Sequence, residues 1–296
     1  MMLLSSFHFI CLLAQFLCHA TSTTALLNPS SYKKNGLSSN NRSKSFVRRQ
    51  RSSNIIHKIR GGSSPLLSMS SGDAIRLAKT LAPKFGILTS TALYFAPTAA
   101  VLSAIKNDSL GDLNPFPLAI MSIVSVSWLA YGLTANDIYV ALSNIAGCIG
   151  SIGFVVGILP LLGKEKKKSL LRTTQGVLLG GSSIVLCLWT YLGLSSLSVV
   201  RMSEILGMFA STLFIILSGS PLSTISTVLK TKDSSSILGA FTAAQVTNTV
   251  LWSIYGLAVK DRFVWGPNLI GLVLGLMQLA LKLMFPSAKK IEEPVV

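Results

Sequence analysis

Apolar residues occur in long runs along most of the chain after about residue 85, and short polar or charged stretches separate the runs. Each run is close to the ~20 residues that a helix needs to span the hydrocarbon core of a bilayer. The seven segments are 85–105, 117–134, 138–162, 173–197, 205–229, 237–259 and 263–285. The pattern therefore predicts an all-α membrane protein with seven transmembrane helices.

The apolar segments also contain an internal repeat at a fixed offset of 124 residues. This shift places Trp128 on Trp252 and Asn144 on Asn268 without a gap. The same shift pairs Pro97 with Pro221, Lys106 with Lys230, Tyr131 with Tyr255, Gly132 with Gly256, Asp137 with Asp261, and Gly147 with Gly271. Because Trp occurs only four times in the chain, chance agreement is negligible. The offset predicts a duplicated three-helix unit.

The fourth segment has no counterpart under this offset, so we predict that it is a linker helix. Three helices plus one linker return the chain to its starting side, and both units then insert in the same orientation. The expected fold is two parallel three-helix repeats joined by a linker helix (3+1+3), related by a pseudo-two-fold axis along the membrane normal. The predicted divisions are 81–162 for the first repeat, 163–200 for a basic loop and the linker helix, 201–286 for the second repeat, and 287–296 for a short tail.

Charge supports this topology and argues against nucleic acid as a partner. The formal net charge is +16, but residues 1–84 hold 12 of the 26 Lys and Arg and one of the 10 acidic residues. If the membrane domain starts outside, eleven of the remaining cations lie in inner loops and three in outer loops, which agrees with the positive-inside rule. No basic stretch interleaved with aromatic residues follows the leader. The lysine-rich segment 164–168 is an orientation signal or a contact to lipid headgroups, and we interpret it as a topology signal. Membrane lipid is an expected partner of the protein.

The N-terminal leader predicts export or organelle targeting. Residues 1–20 contain a short apolar core and small residues before a cleavage point, as in a signal peptide. Residues 21–80 are rich in Ser, Asn and Arg, which is typical either of an organelle transit peptide or of a disordered basic tail. The expected location is the plasma membrane or an endomembrane, and the two-part leader adds the plastid envelope to this set.

The chain lacks the residue patterns of an enzyme. All three histidines lie in the leader, and no nucleophile with a paired base or phosphate-binding glycine loop occurs in the spans. Cys148 and Cys187 have no metal-ligand spacing around them, and we predict buried, inert thiols. We expect no enzymatic activity, no metal site and no cofactor.

Several motifs resemble the two repeats of the SWEET sugar transporters. The second repeat carries SPLSTISTVLKTKDSSS, WSIYG and KDRFVWGPNLIG, and the first carries APTAAVLSAIKNDS, NPFP, WLAYG and SNIAG. The resemblance covers residues 83–285 and implies a uniporter that moves mono- or disaccharides by alternating access, and that associates as a homo-oligomer. Two alternatives remain open: a carrier of another small neutral or zwitterionic solute, and a non-transporting membrane scaffold with the same fold.

The resemblance also implies a central sugar pocket lined by Trp128, Asn144, Trp252 and Asn268. Asparagine amides pair with hydroxyl groups without carrying charge, and indole rings offer flat faces to the C–H patches of a sugar. Packing roles are the alternative, since Asn joins helices in membranes and Trp is enriched at membrane interfaces. The pocket residues that select sugar size are not assigned, and the candidates are Tyr94, Val124, Ser218 and Asn248.

Three of the four hinge prolines of the family are matched, by Pro97, Pro117 and Pro221, while Leu238 occupies the fourth position. Static kinks are the alternative to hinges. No ionisable side chain lies deep in a predicted span, which predicts movement without ion coupling. We interpret Asp137 and Asp261, at predicted helix ends, as solvated loop carboxylates.

Overall fold

A computed structural model describes residues 70–111, 113–164, 168–285 and 287, and every regular element in these ranges is a helix. The predicted signal peptide, most of the leader and most of the tail lie outside the described residues. The helices of the described part are α1 (Ser71–Phe95), α2 (Thr98–Lys106), α3 (Pro115–Thr134), α4 (Ile138–Lys164), α5 (Lys168–Leu194), α6 (Val199–Leu217), α7 (Gly219–Thr231), α8 (Gly239–Val259) and α9 (Arg262–Met284).

The nine helices of the described part correspond to the seven predicted segments, because two of the segments are each broken into a pair of helices. Six helices or helix pairs of the described part are long and apolar enough to cross a membrane. The remaining segment is the sixth, which forms α8. It has 21 residues but includes several Thr, Gln and Asn residues, and it is not among the six. It packs against α9 of its own repeat and α1 of the other. Neighbouring helices therefore bury Thr242 and Thr249 and partly cover Gln245 and Asn248.

The first crossing is longer than the sequence predicts. The pair α1 and α2 covers 36 residues from Ser71 to Lys106, two of them in the break, and a helix of that length would extend about 54 Å. This exceeds the ~30 Å hydrocarbon core. The first turns, which carry Arg76 and Lys79, therefore extend beyond the apolar layer, and α1 begins before the predicted boundary at residue 81.

Proline explains where the two broken crossings are interrupted. Its ring clashes with the carbonyl four residues earlier and has no N–H to donate. Pro97 lies between α1 and α2, while α6 ends at Leu217, four residues before Pro221. Pro117 differs, since it lies in the first turn of α3, where the backbone N–H groups have no partner within the helix. The helix continues through Pro117, and its hinge role stays a prediction.

The repeat is also visible in how the helices pack. A Cβ atom added at Gly132 would lie 2.6 Å from the backbone nitrogen of Ala141, and one added at Gly256 would lie 2.6 Å from that of Trp265. Both positions in each pair differ by the 124-residue offset. Glycine therefore allows α3 to approach α4, and α8 to approach α9, in the same way. The unpaired helix α5 packs mainly on α3, as a linker would.

Buried apolar side chains form three clusters that divide the molecule into two halves. One cluster takes residues from both repeats, including Ala82, Trp128, Leu206 and Trp252. The other two each belong to one repeat: Val101, Phe154 and Ile158 are among the members of the first, and Ile225, Leu274 and Leu281 of the second. The repeats are thus packed together in one half, which we call the closed end, and separate in the other, the open end.

Loop charge distinguishes the two ends of the bundle. Lys106, Lys230 and Lys282 lie at the open end, where α2, α7 and α9 finish. This is the arrangement that the positive-inside rule predicts for an inner face. The thiols differ from the sequence prediction in part, since Cys148 is buried but Cys187 is exposed on α5. The prediction of burial is wrong for Cys187 because the linker helix presents most of one face to the outside of the bundle.

Candidate functional site

A cavity lies between the two repeats and contains all four residues that the sequence assigns to a sugar pocket. Trp128 and Asn144 come from the first repeat, and Trp252 and Asn268 from the second. About 450 Å³ of its space is free of protein atoms, part of it open to solvent. The structure therefore brings the four predicted residues to one chamber.

Short turns between helices position each Trp relative to its Asn. In the first repeat, α3 ends six residues after Trp128, and Asp137 starts α4 by accepting hydrogen bonds from the backbone N–H groups of Tyr139 (3.0 Å) and Val140 (3.1 Å). Asp261 starts α9 in the same way in the second repeat, with Phe263 as one donor at 2.9 Å. Aspartate at a helix N-cap satisfies N–H groups that lack helical partners. The two capped turns fix equivalent geometries.

The two asparagines share one contact with their own helices. The amide of Asn144 donates to the backbone oxygen of Val140 at 2.8 Å, and that of Asn268 donates to Val264, also at 2.8 Å. Both carbonyl partners also line the chamber. These bonds fix each amide plane, so that the remaining donor and acceptor are presented to the neighbouring space.

Asn144 has additional partners. Its Oδ1 accepts a hydrogen bond of 2.9 Å from the hydroxyl of Tyr94, and its Nδ2 lies 3.2 Å from Ser143 Oγ. Tyr94 fits closely on α4, because a Cβ at Gly147 would lie 2.6 Å from the tyrosine ring. Gly147 therefore lets α1 and α4 pack closely at this point. Tyr94 and Ser143 both line the chamber.

Trp252 is held by a polar network between α8 and α1. Its indole Nε1–H donates to Ser90 Oγ at 3.0 Å, and the hydroxyls of Ser90 and Thr89 both donate to Asn248 Oδ1, at 2.9 and 2.7 Å. Gly86 gives the indole room, since a Cβ there would lie 3.0 Å from Trp252 Cε2. The network joins the two repeats at the wall of the chamber.

Trp128 lies at the equivalent place in the other wall but makes no side-chain hydrogen bond within the described residues. Its ring contacts Tyr131 edge to face with the centroids 5.6 Å apart, and Trp252 contacts Tyr255 in the same geometry at 5.8 Å. The aromatic framework is therefore symmetric, whereas the hydrogen bonding of the two indoles differs.

Two crossed tyrosine–aspartate pairs close one end of the chamber. The hydroxyl of Tyr131 donates to Asp261 at 2.6 Å, and that of Tyr255 donates to Asp137 at 2.7 Å. Each bond joins one repeat to the other, and each aspartate also caps a helix. The interpretation of Asp137 and Asp261 as solvated loop carboxylates is wrong in part. Both lie between helices and are partly exposed, but each accepts a buried tyrosine hydroxyl from the opposite repeat.

The repeat predicts part of this site and misses the rest. Tyr131, Tyr255 and both aspartates appear as offset pairs, so the sequence does contain their signal. Of the candidates for size selection, Tyr94 and Asn248 line the chamber, whereas Val124 and Ser218 are not among its lining residues. Ser90, Ser143 and Phe214 line it as well, and none of the three has an identical residue at the offset position.

The chamber lining is polar but uncharged. None of its residues in the described part is Asp, Glu, Lys, Arg or His. No group of three or more His, Cys, Asp and Glu in the same part of the chain has the geometry to hold a metal ion. The wall therefore offers hydroxyl, amide and indole groups together with aromatic faces.

Comparison with known proteins gives consistent matches. A family model described as "Sugar efflux transporter for intercellular exchange" matches residues 84–159 and 204–290. The bidirectional sugar transporter SWEET9 of Arabidopsis thaliana is 24% identical over 210 residues, 71% of this chain and 80% of the relative. Sugar transporter SWEET1 of Rattus norvegicus is 25% identical over 181 residues, 61% of this chain and 79% of the relative. The solved structure of a eukaryotic SWEET transporter superposes with a TM-score of 0.60 at 20% identity, covering 70% of this chain and 96% of that one.

Proposed function

Because this chain belongs to the SWEET family of sugar transporters, we propose that it carries a sugar across a membrane, down the sugar's gradient, by alternating access of the central chamber. The family model covers more than half of the chain and includes segments of both repeats. The observation that carries the proposal is the convergence of Trp128, Asn144, Trp252 and Asn268 on one uncharged chamber between the repeats.

The chemistry of the chamber fits a neutral polyhydroxyl solute. Sugar hydroxyls need donors and acceptors without net charge, which the amides of Asn144 and Asn268 supply. The indole faces of Trp128 and Trp252 can cover the apolar faces of a ring. A carboxylate or ammonium group would find no opposite charge among the described lining residues, and such a buried charge is costly without a partner. This favours a sugar over a charged solute.

Alternating access requires that the closed end open while the open end closes. At the closed end, the two Tyr–Asp pairs join the repeats, and each hydrogen bond to a charged group contributes about 1.5–3 kcal/mol. Two such bonds amount to a few kcal/mol, which thermal fluctuations break on the timescale of collective motions. At the open end, each repeat already has its own apolar cluster, so the two halves can approach without unfolding either.

The transport proposal is tested in proteoliposomes. We expect the purified chain to equilibrate radiolabelled glucose or sucrose across the membrane, and to do so after ionophores abolish the pH gradient and the membrane potential. The Asn144→Ala, Asn268→Ala double variant should lose most of this flux. Asn107→Ala is the matched control, since Asn107 is an exposed residue after α2, away from the chamber.

The outcomes separate the remaining alternatives. Flux that requires a pH gradient or a potential would refute uncoupled transport, while flux of a neutral or zwitterionic solute without sugar flux would identify a different carrier. A protein that is folded yet moves no solute would be a scaffold. Equal flux in wild type and the double asparagine variant would refute the chamber as the binding site.

The proposal also covers which membrane contains the protein and whether the protein forms oligomers. We place this multi-pass protein in the plasma membrane or an endomembrane, or in the plastid envelope if the leader acts as a two-part targeting signal. A C-terminal fluorescent fusion, with and without residues 1–69, distinguishes these locations. Association as a homo-oligomer within lipid is tested by crosslinking in native membranes.

A further inference from the structure

The chamber walls are chemically different although the tryptophans and asparagines repeat. The 124-residue offset places Ser90 on Phe214 and Val124 on Asn248. The wall formed by α1 and α8 therefore has the Ser90–Asn248 pair. On the other side, Phe214 of α6 lines the chamber at the position of Ser90, and Val124 of α3, at the position of Asn248, is not among the lining residues. A hydroxyl and an amide on one side are thus replaced by an aromatic ring and an aliphatic side chain on the other.

This difference decides which indole N–H is available. Trp252 donates to Ser90 at 3.0 Å, and Ser90 is in turn bound to Asn248. The residue at the Ser90 position of the other wall is Phe214, which cannot accept such a bond. Trp128 has no hydrogen-bond partner in the described part of the chain, although its side chain is 7% exposed, nearly as buried as Trp252 at 6%.

The two chamber asparagines also differ, and again the residue on the α6 side, Asn268, is the one with an unpaired group. Asn144 Oδ1 already accepts the hydroxyl of Tyr94 at 2.9 Å. The offset partner of Tyr94 is Ser218, whose hydroxyl donates to the backbone of its own helix, at Phe214, and not to Asn268. Among the described residues, no donor is bonded to Asn268 Oδ1. The α6 side of the chamber therefore holds one unpaired donor and one unpaired acceptor.

We propose that the sugar binds off the pseudo-two-fold axis, against the α6 side, where the indole N–H of Trp128 and the amide of Asn268 hydrogen-bond its hydroxyls. The Phe214 ring covers a ring face of the sugar. Ser90 and Asn248 are positioning residues that hold Trp252 as an apolar wall. The assignment rests on the proposed transport function and adds which half of the chamber recognises the substrate.

The physical reason is that a new hydrogen bond is favoured where no protein hydrogen bond has to be broken. Trp128 Nε1 and Asn268 Oδ1 have no partner among the described residues and are not fully enclosed by protein, so a sugar hydroxyl can bond to them directly. On the α1 side, a hydroxyl that uses the indole N–H of Trp252 or the amide oxygen of Asn144 must first displace the bond to Ser90 or the bond from Tyr94. This difference favours the α6 side.

The first test compares how Trp128 and Trp252, the two tryptophans related by the repeat, affect the KM for glucose. Trp128→Phe should raise the KM for glucose about tenfold, the equivalent of one hydrogen bond, since it removes the available N–H. Trp252→Phe should raise the KM only about two- to threefold, since its N–H is bound to Ser90 in the empty chamber. Trp189→Phe, on the linker helix outside the chamber, controls for a general effect of losing an indole.

A second variant builds the missing network instead of removing a group. Val124→Asn with Phe214→Ser gives the α6 side the residues of the α1 side, so Trp128 should become bonded and glucose KM should rise about tenfold. Independently, in protein labelled with ¹⁵N at the indole nitrogens, glucose should shift the Nε1–H signal of Trp128 and leave that of Trp252 nearly in place. The chain has only four tryptophans, so single Phe variants assign the signals.

Each outcome bears on one proposal. A larger KM effect in Trp128→Phe together with a glucose-induced shift at Trp128 supports off-axis binding. Equal KM effects in the two Trp variants, or a shift at Trp252 equal to that at Trp128, would overturn it while leaving transport intact. A folded wild-type protein with neither glucose or sucrose flux nor any sugar-induced shift would instead defeat the transport function. If Trp128→Phe fails to fold, the wild-type spectrum still decides.

Discussion

The hydroxyl of Tyr131 lies 2.6 Å from a carboxylate oxygen of Asp261, across the boundary between the two repeats. Because the fold is duplicated, the same bond occurs in reverse, from Tyr255 to Asp137 at 2.7 Å. Both aspartates also start the helices that carry the chamber asparagines. Closure of this end and positioning of the chamber residues therefore depend on the same carboxylates.

Removing one tyrosine hydroxyl should shift the protein towards opening at the closed end. Tyr131→Phe keeps the edge-to-face contacts with Trp128 and Phe263 but loses a hydrogen bond to a charged group, about 1.5–3 kcal/mol. We expect the open population at this end to rise roughly tenfold or more. Labelling rates of a cysteine introduced beside the pair measure the change.

The control for this prediction is Tyr139→Phe. Tyr139 packs edge to face on Tyr255 at 5.8 Å, at the same end, and no hydrogen bond from its hydroxyl occurs within the described residues. Labelling should stay at the wild-type rate in this variant. An equal increase in both variants would show that ring packing, and not the bond to the aspartate, keeps the end closed.

Glycine should be irreplaceable where α3 meets the backbone of α4 and where α8 meets the backbone of α9. A methyl group at Gly132 or Gly256 would lie 2.6 Å from a backbone nitrogen of the adjacent helix, and backbone cannot move aside as a flexible side chain can. We expect each Gly→Ala variant to lose about 1–3 kcal/mol of stability. Thermal unfolding in detergent measures the loss.

Gly153→Ala and Gly176→Ala are the matched controls. Both glycines lie within helices, and no atom of the described chain is within 4 Å of an added Cβ. Alanine there should raise the melting temperature or leave it unchanged, because Ala favours the helix by about 1 kcal/mol over Gly. A drop in stability at these positions equal to that at Gly132 would contradict the packing argument.

A capping residue at the start of α8 should increase the stability of the second repeat. Asn114 caps α3 by accepting from the backbone N–H of Phe116 at 3.0 Å, whereas Leu238 at the start of α8 makes no capping bond and its side chain is 69% exposed. Leu238→Asp should stabilise the protein by about 1 kcal/mol. Leu238→Ala separates this gain from the loss of an exposed apolar side chain.

Slower hydrogen exchange in the first turn of α8 would accompany a true capping effect. A higher melting temperature without slower exchange in that turn would point to another cause.

The φ angle of −78° at Leu238 also lies within the range that proline adopts, so backbone geometry at this residue does not explain why the fourth proline is missing.

The sequence predicts those parts of the molecule that occur twice. Apolar run length locates every crossing to within a few residues, apart from the long N-terminal extension of α1, and the offset identifies both tryptophans and both asparagines of the chamber. Hydropathy does not detect the breaks at Pro97 and near Ser218, because a broken helix is as apolar as a continuous one. The segment of α8 is among those that apolar run length predicts, although α8 is not one of the six spans of the described part that are apolar enough to cross a membrane.

Two features of the site required three-dimensional information. Asp137 and Asp261 are in loops by sequence, and only the packing of the repeats shows that tyrosine hydroxyls from the opposite repeat reach them. Ser90 and Asn248 violate the repeat, because Phe214 and Val124 stand at their offset positions. A comparison of the two halves therefore does not find Ser90. Asn248 is a candidate from the sequence, but the contact between α1 and α8 is needed to join both residues to Trp252.

The three predicted hinge prolines should differ in their effects on transport. Pro97→Ala and Pro221→Ala each remove a ring that prevents a continuous helix, so α1 would join α2, and α6 would join α7. If the breaks serve as hinges, saturating transport rates should fall about tenfold, roughly 1.4 kcal/mol on the barrier, with little change in sugar affinity. Pro117→Ala should change the rate less, because α3 is continuous through Pro117 and its first turn needs no N–H there. The measurement is kcat against equilibrium sugar binding in all three variants. Unchanged rates in Pro97→Ala and Pro221→Ala would mean that the breaks are static kinks, and that the repeats exchange conformation as rigid units.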